Sequence, residues 1–416
     1  MERPMRISAH KAAAGLAALA MTATVAGCGS SGGSGGTKDG KVVLGEVTDL
    51  SGVASSYGIP ESQGAQIAVD QINAAGGIKS LDGAKLVIKK YDTASSPDNG
   101  TTKATAAVGD KVSAVFGGEI SDTVLAGINV THRAGTAWLD SGGTADQIHK
   151  RGYDTVFQVA KNSTQYSQGW ADTAKQAAAQ LGIANPTIAI AYSQTSYGQD
   201  FLDAFETINK TAGFRVVSKI GYPIGTTDLS SIAARLASTP ADIIFNIGYP
   251  ADGLNLAKLF ATKYSVKAKI YIAGGSDAVD VVKQLKSQAD GTLVLASVTP
   301  STPTVPAAFK TFYDQYMAKY KAAPNSQAMF GYASVRFAAA AVENAKSAAP
   351  ADVAKALKSV TLTQTTGNIF PSPSTLSFAA DGSLKQAPFL VSQVVGGTAK
   401  VVFPASAAES KIQPYK

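Results

Sequence analysis

The sequence predicts an α/β protein made of two doubly wound parallel-sheet lobes. Three observations carry this. Short β-branched runs alternate with longer helical patterns from residue 41 to about 300. The alternation breaks near residues 160–163, where "VAKNST" separates one five-strand series from a second. Residues 41–416 are long enough for two or three domains with a large buried core.

The chain opens with Arg3, Arg6 and Lys11, followed by the uncharged "AAAGLAALAMTATVA" at 12–26. A basic start and a short apolar run form a secretory signal. At ~1.5 Å per residue it reaches roughly 22 Å, short of the ~30 Å bilayer core, so residues 1–27 read as a removable signal peptide. Val25-Ala26-Gly27-Cys28 resembles a bacterial lipobox, which implies a lipid on Cys28, the only cysteine. An ordinary signal peptide with a chance cysteine is the alternative. The Gly/Ser tract through 28–40 buries no apolar surface and reads as a flexible linker.

The first lobe draws its strands from 41–48, 84–92, 112–118, 136–141 and 155–160. The second draws on 187–193, 215–222, 241–249, 269–275 and 292–298. Between them, Ala65, Ala68, Ile72 and Ala75 recur at helical steps, and Gly76-Gly77 stops that helix. "SQGWADTAKQAAAQLG" and "YGQDFLDAFETINKTAG" behave alike, each closed by a glycine. The tail "FPSPSTLSFAADGSLKQAPFLVSQVVGG" alternates apolar and polar residues, and its Asp381-Gly382 is a hairpin signal.

Composition narrows the chemistry. The formal charge is +7, of which residues 1–27 carry +2, and the lysines are scattered without an Arg-rich stripe, so no nucleic acid is expected. Beyond residue 27 the histidines are His132 and His149 alone, and no cysteine lies inside the fold. No metal, no cofactor and no Cys/His nucleophile pair is expected. "GGSDA" at 274–278 lacks the last glycine of a nucleophile elbow, and no Walker-type loop is present. The chain does not read as an enzyme.

In open α/β sheets, ligands bind beyond the carboxyl ends of the strands. The segments there are "TDLSGVASSYG", "FGGEISDT", "LDSGGTAD", "YSQTSYG", "IGYPAD" and "AGGSDA". Ser121, Ser141 and Thr144 put hydroxyls at helix starts, and Gly117, Gly118, Gly142 and Gly143 admit close backbone approach. A helix start favours an anion such as a carboxylate. Tyr57, Tyr197 and Tyr249 offer aromatic walls, and Asp277 suits an ammonium. Each also has a plain reading: Ser121 and Thr144 as N-caps, the glycines as turns, the tyrosines as edge packing, Asp277 as a cap.

"VTDLSGVASSYG", "INAAGGI", "FGGEISDTV", "RGYDTVFQV", "SYGQDF" and "SFAADGSL", in this order, resemble the leucine/isoleucine/valine-binding family of type I periplasmic substrate-binding proteins, over roughly residues 41–400. The resemblance implies two lobes joined by three crossovers. Lobe I would hold 41–160 and 301–360, lobe II 161–300 and 361–405, with 406–416 as a tail. It implies a monomer that closes on a small-molecule solute and delivers it to an ABC permease in the membrane, anchored outside the cell by its lipid.

Carried over, Ser121 and Thr144 match the hydroxyls that bind the ligand carboxylate, and Gly142 a backbone contact. Tyr57, Tyr197 and Tyr249 match pocket tyrosines, Tyr332 a weaker pocket aromatic. Asp277, with Ser276 as the alternative, matches the acid that pairs with the α-ammonium. Ser95 and Ile120 stand at the positions of the family's lobe-one disulfide. A branched-chain amino acid is the first expectation. An amide, urea or aromatic acid is the alternative solute, and a sensing module for a membrane partner the alternative role.

Overall fold

The computed structural model describes Thr37 and residues 39–296, 298–302 and 305–415. The expected signal peptide, Cys28 and most of the expected 28–40 linker lie outside the described residues. Strands β1 (Lys41–Thr48), β2 (Lys85–Asp92), β3 (Ala114–Phe116), β4 (Trp138–Asp140) and β5 (Val156–Gln158) form a parallel sheet in the order β2-β1-β3-β4-β5. Helices α1 (Ser55–Ala74), α2 (Pro97–Gly109), α3 (Ser121–Arg133) and α4 (Gln147–Lys150) connect them.

The second series follows with α5 (Ser163–Gln180), β6 (Thr187–Ser193), α6 (Ser196–Ala212), β7 (Arg215–Tyr222), α7 (Ser230–Ser238) and β8 (Ile243–Ile247). It continues with α8 (Pro250–Thr262), β9 (Ile270–Asp277), α9 (Ala278–Leu285) and β10 (Thr292–Leu295). The chain then builds α10 (Ala307–Tyr320), α11 (Ser326–Ala345) and α12 (Pro350–Leu357). It ends with β11 (Thr361–Thr363), β12 (Thr375–Ser377), β13 (Val391–Val395) and β14 (Thr398–Phe403). The second sheet runs β14-β13-β10-β9-β8-β6-β7, parallel except at its β13 and β14 edge.

The alternation of side chains across each strand builds the layers. In β1, Val42 and Leu44 enter one core layer of the first lobe and Val47 the other. In β8 and β9, Ile243, Phe245, Ile270 and Ile272 face one layer of the second lobe, while Ile244 and Tyr271 face its opposite. All ten expected strands form, several of them shorter than the sequence run. Helix α6 ends on Gly213 in the left-handed region, as its glycine predicts.

Helices α1 and α11 cross almost backbone to backbone. A Cβ on Gly64 would stand 1.8 Å from Ala328 O, and one on Gly331 2.1 Å from Glu61 O. This crossing brings Glu61 and Gln327 to the same end of the first sheet.

The chain passes between the lobes three times: after β5, after β10, and before β13. The tail departs from expectation. Leu362, Ile369, Phe370, Leu376, Phe378 and Leu384 join the core that β1 and α11 share. Residues 361–384 therefore pack on the first lobe, and only the segment from β13 onward joins the second sheet. The alternating pattern reads as one tail, but it serves two cores. The Asp381-Gly382 turn does form, with Phe378 bridging Leu384 and Gly382 at φ +84°.

The lobes meet across their strand ends. Ser196 Oγ donates to Asp122 Oδ1, and Gln147 N donates to Asp200 Oδ2 at 3.0 Å. Ser326 N donates to Asp277 Oδ2 at 3.0 Å, and Tyr57 Oη donates to Gly275 O. The structure is a closed one.

Candidate functional site

The strand-end loops of both lobes enclose a cavity of about 500 Å³, its mouth included. From the first lobe come Tyr57 at the start of α1, Glu119 after β3, Gly142 and Thr144 after β4, and Ser326-Gln327 at the start of α11. Tyr166 on α5, Tyr197 on α6, Tyr249 after β8 and Gly274-Gly275 in β9 close it from the second lobe.

A network of buried acids shapes the first-lobe wall. Asp49 Oδ2 accepts the N–H of Glu119 at 3.1 Å, and Thr93 donates to its other oxygen. Asp140 Oδ1 accepts Gly143 N at 2.7 Å and Gly142 N at 3.3 Å, which folds that loop over the strand end. Glu61 accepts Thr48 Oγ1 at 2.5 Å and Ser141 Oγ. Burial holds Asp140 well above the usual carboxylate range, since an ionised group there loses its hydration.

Glu119 is the acid that reaches the cavity, at 3% exposure. Its Oε2 accepts from Gln327 Nε2, while Oε1 meets no N–H or O–H donor among the described residues. Burial first, and the neighbouring Glu61 second, push Glu119 well above the ordinary value. Both influences favour its protonated form.

The second-lobe wall is aromatic. Tyr197 and Tyr249 pack edge to face, with centroids 5.6 Å apart. Behind them Tyr222 Oη donates to Asp252 Oδ2, whose acidity burial weakens to a pKa of about 6.

The structure brings Tyr57, Gly142, Thr144, Tyr197 and Tyr249 together on the cavity wall. Ser121, Asp277 and Tyr332 are not among the lining residues. Ser121 Oγ accepts the N–H groups of Thr144 and Ala145, both at 3.1 Å, so it braces the loop rather than capping its own helix. Asp277, 1% exposed, caps α9 through Val279 N and holds Ser326 N. Ser276 Oγ turns to Pro250 O at 3.3 Å. Tyr332 corrects the expectation most clearly. It lies further along α11, facing α1, where its Oη donates to Gln71 Oε1 at 2.7 Å and its ring packs on Phe312. The buried crossing of α1 and α11 holds it inside the first lobe.

Glu119, Tyr166, Ser326 and Gln327 escaped the sequence reading. Glu119 stood in the quoted "FGGEISDT", two residues before the serine that drew attention. Ser326-Gln327 arrives from more than 180 residues beyond β4, and no local pattern marks it.

A family model described as "Periplasmic binding protein" matches residues 41–398. The "Leu/Ile/Val-binding protein homolog 8" of Brucella abortus (strain 2308) is 27% identical over 389 residues, covering 89% of this chain and 93% of that one. Among solved structures, the branched-chain amino acid transporter substrate binding protein of Streptococcus pneumoniae, in complex with isoleucine, superposes with a TM-score of 0.74 at 22% identity. It covers 88% of this chain and 100% of that one. An R. palustris solute binding protein in complex with benzoate has the same TM-score at 16% identity, covering 90% and 97%. The two doubly wound lobes read from the strand pattern, the cavity between them and a family match along most of the sequence agree: the chain belongs to the periplasmic binding proteins, in the leucine/isoleucine/valine-binding family.

Proposed function

We propose that this chain is an extracytoplasmic lipoprotein that captures a small amino-acid-like solute between its lobes for an ABC importer. The observation that supports this is the cavity walled from both lobes, with Tyr57, Glu119 and Thr144 on one side and Tyr197 and Tyr249 on the other. A solute that touches both walls stabilises the closed form by its differential affinity for it. In the branched-chain amino-acid reading, the tyrosine faces hold the side chain and Thr144 meets the carboxylate. Glu119 takes the ammonium, the part first given to Asp277. The relatives named for leucine, isoleucine and valine favour this reading. The lipid anchor rests on Val25-Ala26-Gly27-Cys28.

A second reading keeps the fold and site but removes the amine: a small carboxylic acid. It is favoured by the position of Asp277, whose carboxylate serves two backbone N–H groups.

Thermal unfolding of the full chain against leucine, isoleucine, valine, their amides and small carboxylic acids tests the function. A ligand at 100 times its Kd adds about 2.7 kcal/mol to the folded state. A raised midpoint with one class names the solute. No shift with any of them overturns solute capture from this panel. If an amino acid binds, Glu119→Gln should weaken it at least tenfold, about 1.4 kcal/mol.

A further inference from the structure

Beside the cavity, across Tyr166, lies a second chamber of about 360 Å³, its opening included. Tyr166, Leu295 and Ser326 line both spaces. Met329, Phe330, Phe370 and Leu390 make the inner walls apolar. One charged side chain, Lys161, borders the chamber, 5% exposed and on the first passage between the lobes.

Lys161 is anomalous for a buried residue. An ammonium taken out of water needs a counter-charge or a full set of acceptors. Its Nζ donates to Pro388 O at 2.6 Å. Otherwise it meets ring faces, with the centroids of Tyr166, Phe330 and Phe389 at 4.6, 5.1 and 5.7 Å. Among the described residues no carboxylate forms an ion pair with it. Ring faces offset part of the desolvation. The remainder shows in its acidity, which burial alone brings down to about 7.

The loop expected to cradle a carboxylate is meanwhile already satisfied. Gly142 N and Gly143 N donate to Asp140, and Thr144 N and Ala145 N to Ser121 Oγ. The site thus has backbone donors that are taken and a buried amine whose acceptor is one backbone carbonyl, with no carboxylate paired to it among the described residues.

We propose that Lys161 is the anion-recognising residue of the solute site, and that the solute is a carboxylate on an apolar body whose carboxylate pairs with Lys161 Nζ in the second chamber. This rests on the carboxylic-acid reading of the same site and narrows it. The carboxylate sits at the passages between the lobes. The body runs past Tyr166 into the tyrosine-walled cavity, where Glu119 and Gln327 meet any polar group at its far end. Of the groups named around Nζ, Tyr166 alone is titratable, and burial holds its hydroxyl above the ordinary value. Lys161 therefore governs the charge of the chamber between pH 6 and 8.5.

The test is calorimetric titration of the full chain and its Lys161→Met variant with isocaproate, benzoate and 3-phenylpropanoate, with the primary amide of each, and with leucine. Methionine keeps the length of the side chain and removes a buried charge, a change that folded proteins tolerate. At pH 6.5 at least one carboxylate should bind the unaltered chain tenfold or more tighter than its amide. Lys161→Met should weaken that carboxylate at least tenfold more than the amide. Its affinity should fall from pH 6 to 8.5 more steeply in the unaltered chain than in the variant, where Glu119 remains as a titrating group. Carboxylates that bind both forms alike overturn the inference. If leucine binds and no carboxylate does, solute capture stands and the role of Lys161 falls. If nothing binds, both fall.

Discussion

Asp277 Oδ2 accepts the backbone N–H of Ser326 at 3.0 Å, so one carboxylate both caps α9 of the second lobe and holds the start of α11 of the first. Asp277→Ala removes a cap worth about 1 kcal/mol and a charge-assisted bond between lobes worth about 1.5–3 kcal/mol. Because the second bond belongs to the closed form, every ligand should weaken by a similar factor, about 10- to 150-fold. Calorimetry with an amino acid and its desamino analogue reads this out. A loss confined to the amino acid would instead put Asp277 on the ligand's ammonium.

Glu46 is fully buried in β1, with Ser62 Oγ donating to it and Lys90 3.9 Å away. Burial, then the charge of Glu61, raises its pKa from 4.5 to about 8. An acid whose pKa is higher in the folded state binds more protons when folded. Its contribution to stability is complete below pH 4.5 and is lost as pH rises through about 8. Urea unfolding at pH 5, 6.5 and 8 should show stability falling across this window. Glu46→Gln keeps an acceptor for Ser62 and should flatten the slope by about one proton. Equal slopes in both proteins would show that Glu46 is ionised throughout.

Gly64→Ala should destabilise the fold, since its Cβ would stand 1.8 Å from Ala328 O. Forcing α1 and α11 apart costs about 1–3 kcal/mol or more, whereas the same change on an open helix face stabilises. The sign in urea unfolding decides. The variant should also bind solute more weakly, because Gln327 at the start of α11 is hydrogen-bonded to Glu119.

Cys28→Ala should move the protein from the membrane pellet to the soluble fraction after cell lysis. Retention in the pellet would show another attachment. Among the described residues no helix is long and apolar enough to cross a membrane.

The strands were legible because both faces of most of them are buried. Runs such as "TIAIAYS" send Ile188 and Ile190 to one layer and Ala189 and Ala191 to the other, and that pattern is local. The cavity tyrosines were legible because strand ends position them. What escaped depends on distant partners. Whether Asp277 faces a ligand or a backbone N–H is decided by Ser326, 49 residues away. Lys161 read as part of a seam because its surroundings are Phe330, Pro388 and Phe389, more than 160 residues on. Residues 361–384 looked continuous with the final strands because alternation reports that one face is covered, not which lobe covers it.

The bonds that join the lobes have a consequence for how affinity and selectivity divide. Asp122 with Ser196, Asp200 with Gln147 and Asp277 with Ser326 tie one lobe to the other through carboxylates. Such a bond lowers the free energy of the closed form by the same amount whatever solute lies between the lobes. The clasp therefore sets the general level of affinity, while discrimination between solutes is left to the cavity wall. Substitutions in the clasp and on the wall change these two properties separately.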